Sequence, residues 1–171
     1  MIFLGIGGNI SFRDQPVLAT LNAAIEALPA HGIRTHKCSS FYHSRPVPVS
    51  DQPWFFNAVI SCATHLSPHE LLCALMGIEQ KFGRVRSGDG PKNNTVKNAA
   101  RTLDLDIIDY KRKIFSDDVL DIPHPRLSSR AFILLPLFEI APDWKHPVTG
   151  QSISSLVAQL STDDLADTVR I

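Results

Sequence analysis

The chain has 171 residues, 44% of them apolar and 20% charged, and its 17 Lys plus Arg balance 17 Asp plus Glu. That length predicts one domain over 1–171 with a sizeable buried core. Zero formal charge excludes the global field that holds a polyanion such as duplex nucleic acid, so any anion site must be a local cluster.

The three cysteines, Cys38, Cys62 and Cys73, form no Cys-x-x-Cys pair and read as small buried hydrophobes in a reducing cytoplasm. The opening apolar run, 1–6, lacks a basic lead-in and is too short for a signal peptide or a membrane span. Residues 2–6 read as a buried strand followed by a Gly7-Gly8-Asn9 turn. The glycines match neither the dinucleotide spacing nor a P-loop. Val17, Leu18, Leu21, Ala24, Ile25 and Leu28 recur at helical spacing, predicting a helix that ends at Pro29. Residues 33–42 read as a second strand.

Residues 43–53 carry Pro46, Pro48 and Pro53 and form a stiff extended loop, which either reads the edge of a flat polar ligand or simply connects. Residues 55–65 are a third strand, with Phe56, Ala58 and Ile60 alternating against Phe55, Asn57, Val59 and Ser61. Asn57 is either a satisfied core amide or a group that donates and accepts toward a ligand. Ser67, Pro68 and Glu70 spell a helix start with a capping box. Leu71, Leu72, Leu75, Ile78 and Phe82 form its buried stripe, Glu79 falls late in it, and Gly83 ends it. Arg84 and Arg86 then share a face if the chain is extended. Residues 87–100 have almost no apolar content and read as a mobile basic loop.

The stretch 101–109 alternates as a strand. Leu103, Leu105 and Ile107 point into a core, and Asp104 and Asp106 lie side by side on the other face. Two adjacent carboxylates are either a solvated acidic face or hard oxygen ligands suited to Mg²⁺ and a substrate phosphate. Arg101 lies near the same site. Residues 111–120 resemble a small hairpin, and 121–127 a second proline-stiffened loop. Ser128 or Ser129 caps a helix holding Arg130, Phe132 and 133–140, which Pro136 makes irregular. A further helix spans 153–160, and the acidic tail after Ser161 is peripheral. The order β-α-β-β-α-β, with an added hairpin and C-terminal helices, is the α+β, ferredoxin-like plan, an antiparallel sheet flanked by helices. The plan by itself implies no function.

The run Asn98-Ala-Ala-Arg101-Thr-Leu-Asp104-Leu-Asp106-Ile-Ile resembles the signature of the hydroxymethyl-dihydropterin pyrophosphokinases of folate synthesis. Gly5-Ile-Gly-Gly-Asn9, Ser39-Ser-Phe-Tyr42, Asp51-Gln-Pro53 with Phe55 and Asn57, Glu79 with Gly83-Arg-Val-Arg86, Pro123-His-Pro-Arg126 and Arg130-Ala-Phe132 follow in the family's order. Several motifs in register are far more specific than any one.

The resemblance implies transfer of pyrophosphate from ATP to the hydroxymethyl oxygen of a reduced pterin, with release of AMP. It implies that Asp104 and Asp106 hold two Mg²⁺ ions and that Arg84 and Arg101 neutralise the transferring phosphates. Glu79, Arg86, Ile107, His124 and Arg130 would hold the nucleotide. Phe55 and Phe132 would sandwich the pterin, with Ser44, Arg45, Val47 and Asn57 reading its edge. A monomer or weak dimer, with no nucleic-acid or membrane partner, is expected. The chain departs from the family's pattern at three places. Its 87–100 loop carries no aromatic, leaving Lys97 or Asn98 in that place. Met76 replaces a glutamine, and Ala99-Ala100 replaces Gly-Pro. An RNA-binding sheet would need a basic field that the acidic central strand denies. A nucleotidyl transferase could use the same carboxylates but would release pyrophosphate.

Overall fold

The computed structural model describes residues 1–84 and 99–171. Arg86 and the expected basic loop, apart from its last two residues, lie outside them. In chain order the elements are β1 (Ile2–Gly8), α1 (Val17–Ala27), β2 (Arg34–Cys38), β3 (Tyr42–Ser44), β4 (Phe55–Ala63), α2 (Pro68–Lys81), β5 (Asp104–Tyr110), β6 (Phe115–Ser116), β7 (Asp121–Ile122), α3 (Ala131–Ile140), α4 (Ile153–Ala158), α5 (Thr162–Ala166) and β8 (Thr168–Arg170). The main sheet is ordered β5-β1-β4-β3-β8, with β2 also paired to β4. Its strand pairs are antiparallel.

Strand alternation divides the sheet between two cores. On one face Ile2, Leu4, Ile6, Ala58, Ile60, Leu103, Leu105 and Ile107 meet Leu21, Ala24, Leu71, Leu75 and Ile78 from α1 and α2. On the other, Phe3, Val59 and Ile108 meet Leu134 and Leu137 of α3 and Ile153 and Leu156 of α4. The start of α2 is as the sequence predicts. The Ser67 side chain accepts from the Glu70 amide, and the Glu70 carboxylate accepts from the Ser67 amide at 2.8 Å.

Several local readings change. Gly7 and Gly8 form no turn; β1 runs through them, opposite Asn57 and Phe56. A Cβ at Gly8 would lie 2.5 Å from the Thr102 carbonyl oxygen, so these glycines allow close backbone approach. The expected 33–42 strand breaks in two because Ser39 takes over both ladder positions of Val59. Its amide donates to the Val59 carbonyl at 2.9 Å, and its Oγ accepts from the Val59 amide at 3.0 Å. Pro29 sits inside a 3₁₀ turn, Leu28–His31, that extends α1. Ser128 and Ser129 lie in another 3₁₀ turn, Leu127–Ser129, and α3 begins after Arg130 without a side-chain cap. Of the cysteines only Cys62 is buried; Cys38 and Cys73 are exposed. The peripheral tail does form structure, since β8 pairs with the outer edge of β3.

Candidate active site

The cleft opens on the face of the second core, where the strands exchange apolar side chains for glycine and polar groups. Register explains its shape. Asp104 on β5 pairs with Gly7 on β1, which pairs with Asn57 on β4; in the next row Asp106 pairs with Gly5, which pairs with Val59. Gly5 and Gly7 therefore form a floor without side chains, between carboxylates on one side and an amide on the other. With strands ≈ 4.8 Å apart, the two poles stand about 10 Å from each other. A Cβ at Gly7 would lie 2.6 Å from Asn57 Oδ1, so only glycine leaves the floor open. The cleft encloses about 210 Å³ and is walled by Phe132 and Ile133 of α3.

The acidic pole is built on β5 and the end of α2. Arg84 pairs with Asp104, and its Nη1 also donates to Glu79 Oε1 at 2.8 Å and to the Leu103 carbonyl at 3.2 Å. Arg101 Nη1 donates to the other Asp104 oxygen at 2.6 Å. Burial alone would raise the Asp104 pKa, but Arg101 and Arg84 outweigh it and hold the carboxyl below its ordinary value. Asp106 is different. It makes no hydrogen bond or ion pair among the described residues, and burial, then Asp104 and Glu79, push its pKa up to about 7. An under-compensated carboxylate beside a second one, both facing a cleft, is a donor set that fits a hard divalent cation.

Arg130, Arg126 and His124 complete this pole. Burial, then Arg130 and Arg126, lower the His124 pKa to about 4, leaving the imidazole neutral near pH 7. The amide pole is quieter. Asn57 Nδ2 donates to Ser44 Oγ at 2.7 Å in a buried bond. Arg45, Val47 and Phe55 line the cleft beside it. Arg101 lies 5.5 Å from the Phe55 ring centroid and Arg130 lies 5.3 Å from that of Phe132, so both rings present a face to cations at the cleft. Phe55 is half-buried and belongs to neither core.

Fourteen of the expected site residues can be placed in the structure, since Arg86 lies outside the described residues. Twelve of them line the cleft: Ser44, Arg45, Val47, Phe55, Asn57, Arg84, Arg101, Asp104, Asp106, His124, Arg130 and Phe132. Glu79 and Ile107 do not. Glu79 is fully buried beneath the acidic pole, where its Oε1 also accepts from the Leu105 amide at 2.8 Å. The Ile107 side chain faces the opposite core. Two features went unread. The Gly5/Gly7 floor was legible as two glycines at period two on a strand. Asn9 is the other. Its Oδ1 accepts from the Arg101 amide at 2.8 Å, its own amide donates to the Arg101 carbonyl at 2.9 Å, and its Nδ2 donates to the Pro53 carbonyl at 3.0 Å. It ties β1, the proline loop and the arginine segment together.

Residues 3–142 match the family model of 7,8-dihydro-6-hydroxymethylpterin-pyrophosphokinase. The chain belongs to this family. It is 43% identical over 158 residues to the 2-amino-4-hydroxy-6-hydroxymethyldihydropteridine pyrophosphokinase of Synechocystis, covering 92% of this chain and 74% of the relative. The Haemophilus influenzae enzyme of the same name is 38% identical over 159 residues, 93% of this chain and 92% of that one. The chain spans only 20% of the Folic acid synthesis protein fol1 of Pneumocystis carinii, at 38% identity over 96% of its own length. Among solved structures, Plasmodium falciparum HPPK-DHPS with pterin and p-hydrobenzoate superposes with a TM-score of 0.70 at 14% identity, over 99% of this chain and 47% of that one. At that identity the likeness speaks to fold alone. The chain is therefore a pyrophosphokinase of the folate pathway by family.

Proposed function

We propose that the cleft transfers a pyrophosphoryl group from ATP to the hydroxymethyl oxygen of 6-hydroxymethyl-7,8-dihydropterin and releases AMP. The observation that carries this reading is the separation of the Asp104/Asp106 pair, in which Asp106 is under-compensated, from the Ser44–Asn57 amide pole by a glycine floor. A flat heterocycle at one pole would place a short substituent toward phosphates held at the other. In the reaction a bond forms between the hydroxymethyl oxygen and the β-phosphorus, the bond from that phosphorus to the α,β-bridging oxygen breaks, and the hydroxyl loses its proton.

Asp104 and Asp106 would hold two Mg²⁺ ions, which supply charge neutralisation to the phosphates and acidify a hydroxyl. Arg84 and Arg101, now on Asp104, are placed to exchange that carboxylate for the oxygens of the transferring group, where fixed guanidinium donors are worth most. His124, Arg130 and Arg86 would hold the nucleotide. Glu79 serves that pole indirectly by orienting Arg84. Phe55 and Phe132 offer faces to the pterin, and Ser44, Arg45, Val47 and Asn57 read its edge.

The strand order supports the ferredoxin-like reading, and residues 1–171 would act as one unit. A monomer or weak dimer working in the cytoplasm, with small-molecule partners and neither nucleic acid nor membrane, fits a chain of zero formal charge. No helix among the described residues is long and apolar enough to cross a membrane. The test is to incubate the protein with ATP, Mg²⁺ and the hydroxymethyl pterin and to identify the leaving group. AMP is expected; pyrophosphate would mean nucleotidyl transfer, and ADP a single phosphoryl transfer.

A further inference from the structure

The segment 161–171 adds no residue to either apolar core; within it only Thr168 is buried. It is nevertheless fastened closely, to β3 and its flanks beside the amide pole and to Glu139 of α3. Strand β8 pairs Thr168 with Ser44, Val169 with His43 and Arg170 with Tyr42. The Arg45 amide donates to the Asp167 carbonyl at 3.0 Å, and the Arg45 guanidinium lies 3.5 Å from the Asp167 carboxylate. At the other end Arg170 Nε donates to Ser40 Oγ at 2.9 Å, while Arg170 Nη2 lies 3.6 Å from Glu139. Glu139, on α3, also accepts from the Ser40 amide at 2.9 Å and the Tyr42 hydroxyl at 3.0 Å. Asp163, Asp164, Asp167 and Thr168 line a second hollow that shares Arg45, Val47, Arg130 and Phe132 with the cleft.

We infer that this C-terminal segment is a clamp on the substrate-reading loop, and that Asp167 is a positioning residue that sets pterin affinity through Arg45 and Ser44. The inference rests on the functional reading of the cleft given above. Without β8, β3 would be a three-residue edge strand followed by a proline loop, held on one side only. Short edge strands are weakly fixed. Ser44 must keep its Oγ at Asn57, and the backbone after it must stay in register, for the pole to present a fixed donor and acceptor pattern. Pre-ordering that edge before the ligand arrives removes an ordering cost from binding. Because the hydrogen bonds and ion pairs of the clamp, beyond its ladder with β3, go to Arg45, Ser40, Phe41 and Glu139 and not to Arg84, Arg101, His124 or Arg130, its effect should fall on the pterin and spare the nucleotide.

Three full-length variants test this. Asp167→Lys places a like charge against Arg45, and Val169→Pro removes a donor from β8. Each should raise the KM for the pterin about tenfold, the equivalent of one decade in affinity. Their kcat and KM for ATP should stay within about twofold, since uniform binding alone is lost. Asp167→Glu keeps the charge and should restore the pterin KM. Unchanged pterin KM in both damaging variants overturns the clamp. So does a parallel loss of kcat and of ATP affinity, which marks general destabilisation. A wild-type chain that binds ATP with Mg²⁺ but shows no turnover of the pterin overturns the functional reading instead, and the clamp with it.

Discussion

Asp106 has no hydrogen bond or ion pair among the described residues, and its charge is only partly offset, by Arg84 and Arg130. Its neighbour Asp104 has two guanidiniums, whereas Asp106 has a second carboxylate beside it and Glu79 beneath. A half-buried charge without a close partner costs stability, and the cost persists only where function needs it. Asp106→Asn should therefore raise the melting temperature of the protein in chelator at pH 8. The same change should lower turnover by more than about 100-fold, beyond the loss typical for an outer-shell partner of a metal. A lower melting temperature together with retained turnover would contradict both halves. His124 gives the pH dependence. Burial first, then Arg130 and Arg126, bring its pKa from 6.5 to about 4 in the folded protein. Between those values the unfolded chain binds the proton and the folded one does not. Its contribution to stability is thus complete above pH 6.5 and is lost as the pH falls toward 4. Urea midpoints at pH 7 and pH 5 should fall less in His124→Gln than in the wild type; equal losses would show that the ring is not held neutral.

At the scale of elements, two glycines should respond in opposite ways to the same methyl group. Gly77 lies inside α2, and a Cβ there meets nothing within 4 Å. Gly77→Ala should stabilise by about 0.4–1 kcal/mol, because the helix tolerates the side chain and the unfolded chain loses freedom. Gly8→Ala drives a Cβ against the Thr102 carbonyl at 2.5 Å. It should destabilise by about 1–3 kcal/mol as an overpacked site, and should lower turnover because Arg101 is held next door by Asn9. Guanidinium denaturation of the two variants checks both signs. The pair also shows what was legible in the sequence. The capping box and apolar stripe of α2 are written within about four residues of each other, so local rules recover them. The close approach at Gly8 involves a residue 94 positions later in the chain, and no local pattern announces it. Strand β8 was missed for a related reason: three mostly exposed residues at an edge carry no apolar alternation to read.

At the scale of the whole molecule the cleft is a gap in one layer. Helices α1 and α2 pack on one face of the sheet, while on the other the apolar rows supplied by Phe3, Val59 and Ile108 give way to Gly5, Gly7, Asn57, Asp104 and Asp106. Strand periodicity fixed that Asp104 and Asp106 share a face; the loop and helix residues around the gap, such as Arg45, Arg84, His124 and Phe132, were legible only through the resemblance to the family, and position along the chain says nothing about the depth of Glu79 and Ile107. The two-pole arrangement predicts separable ligand effects. A ligand that binds only the folded state at 100 times its dissociation constant stabilises by about 2.7 kcal/mol. On the proposed reading ATP would meet a pole where Arg84 and Arg101 are already engaged by carboxylates, so without a divalent cation its phosphates would face Asp106 and have to displace Asp104. Thermal shift should therefore be large with ATP and Mg²⁺, and mostly abolished when the metal is chelated. On the same reading the hydroxymethyl pterin would bind about 10 Å away, two strand spacings across the floor, where no carboxylate among the described residues lines the cleft. Whatever shift it produces alone should be the same with and without chelator. In Asp104→Asn the ATP response should lose its dependence on Mg²⁺, while the pterin response persists. An ATP shift equally large in chelator would mean that the arginines alone bind the triphosphate, and the metal assignment of Asp104 and Asp106 would fall.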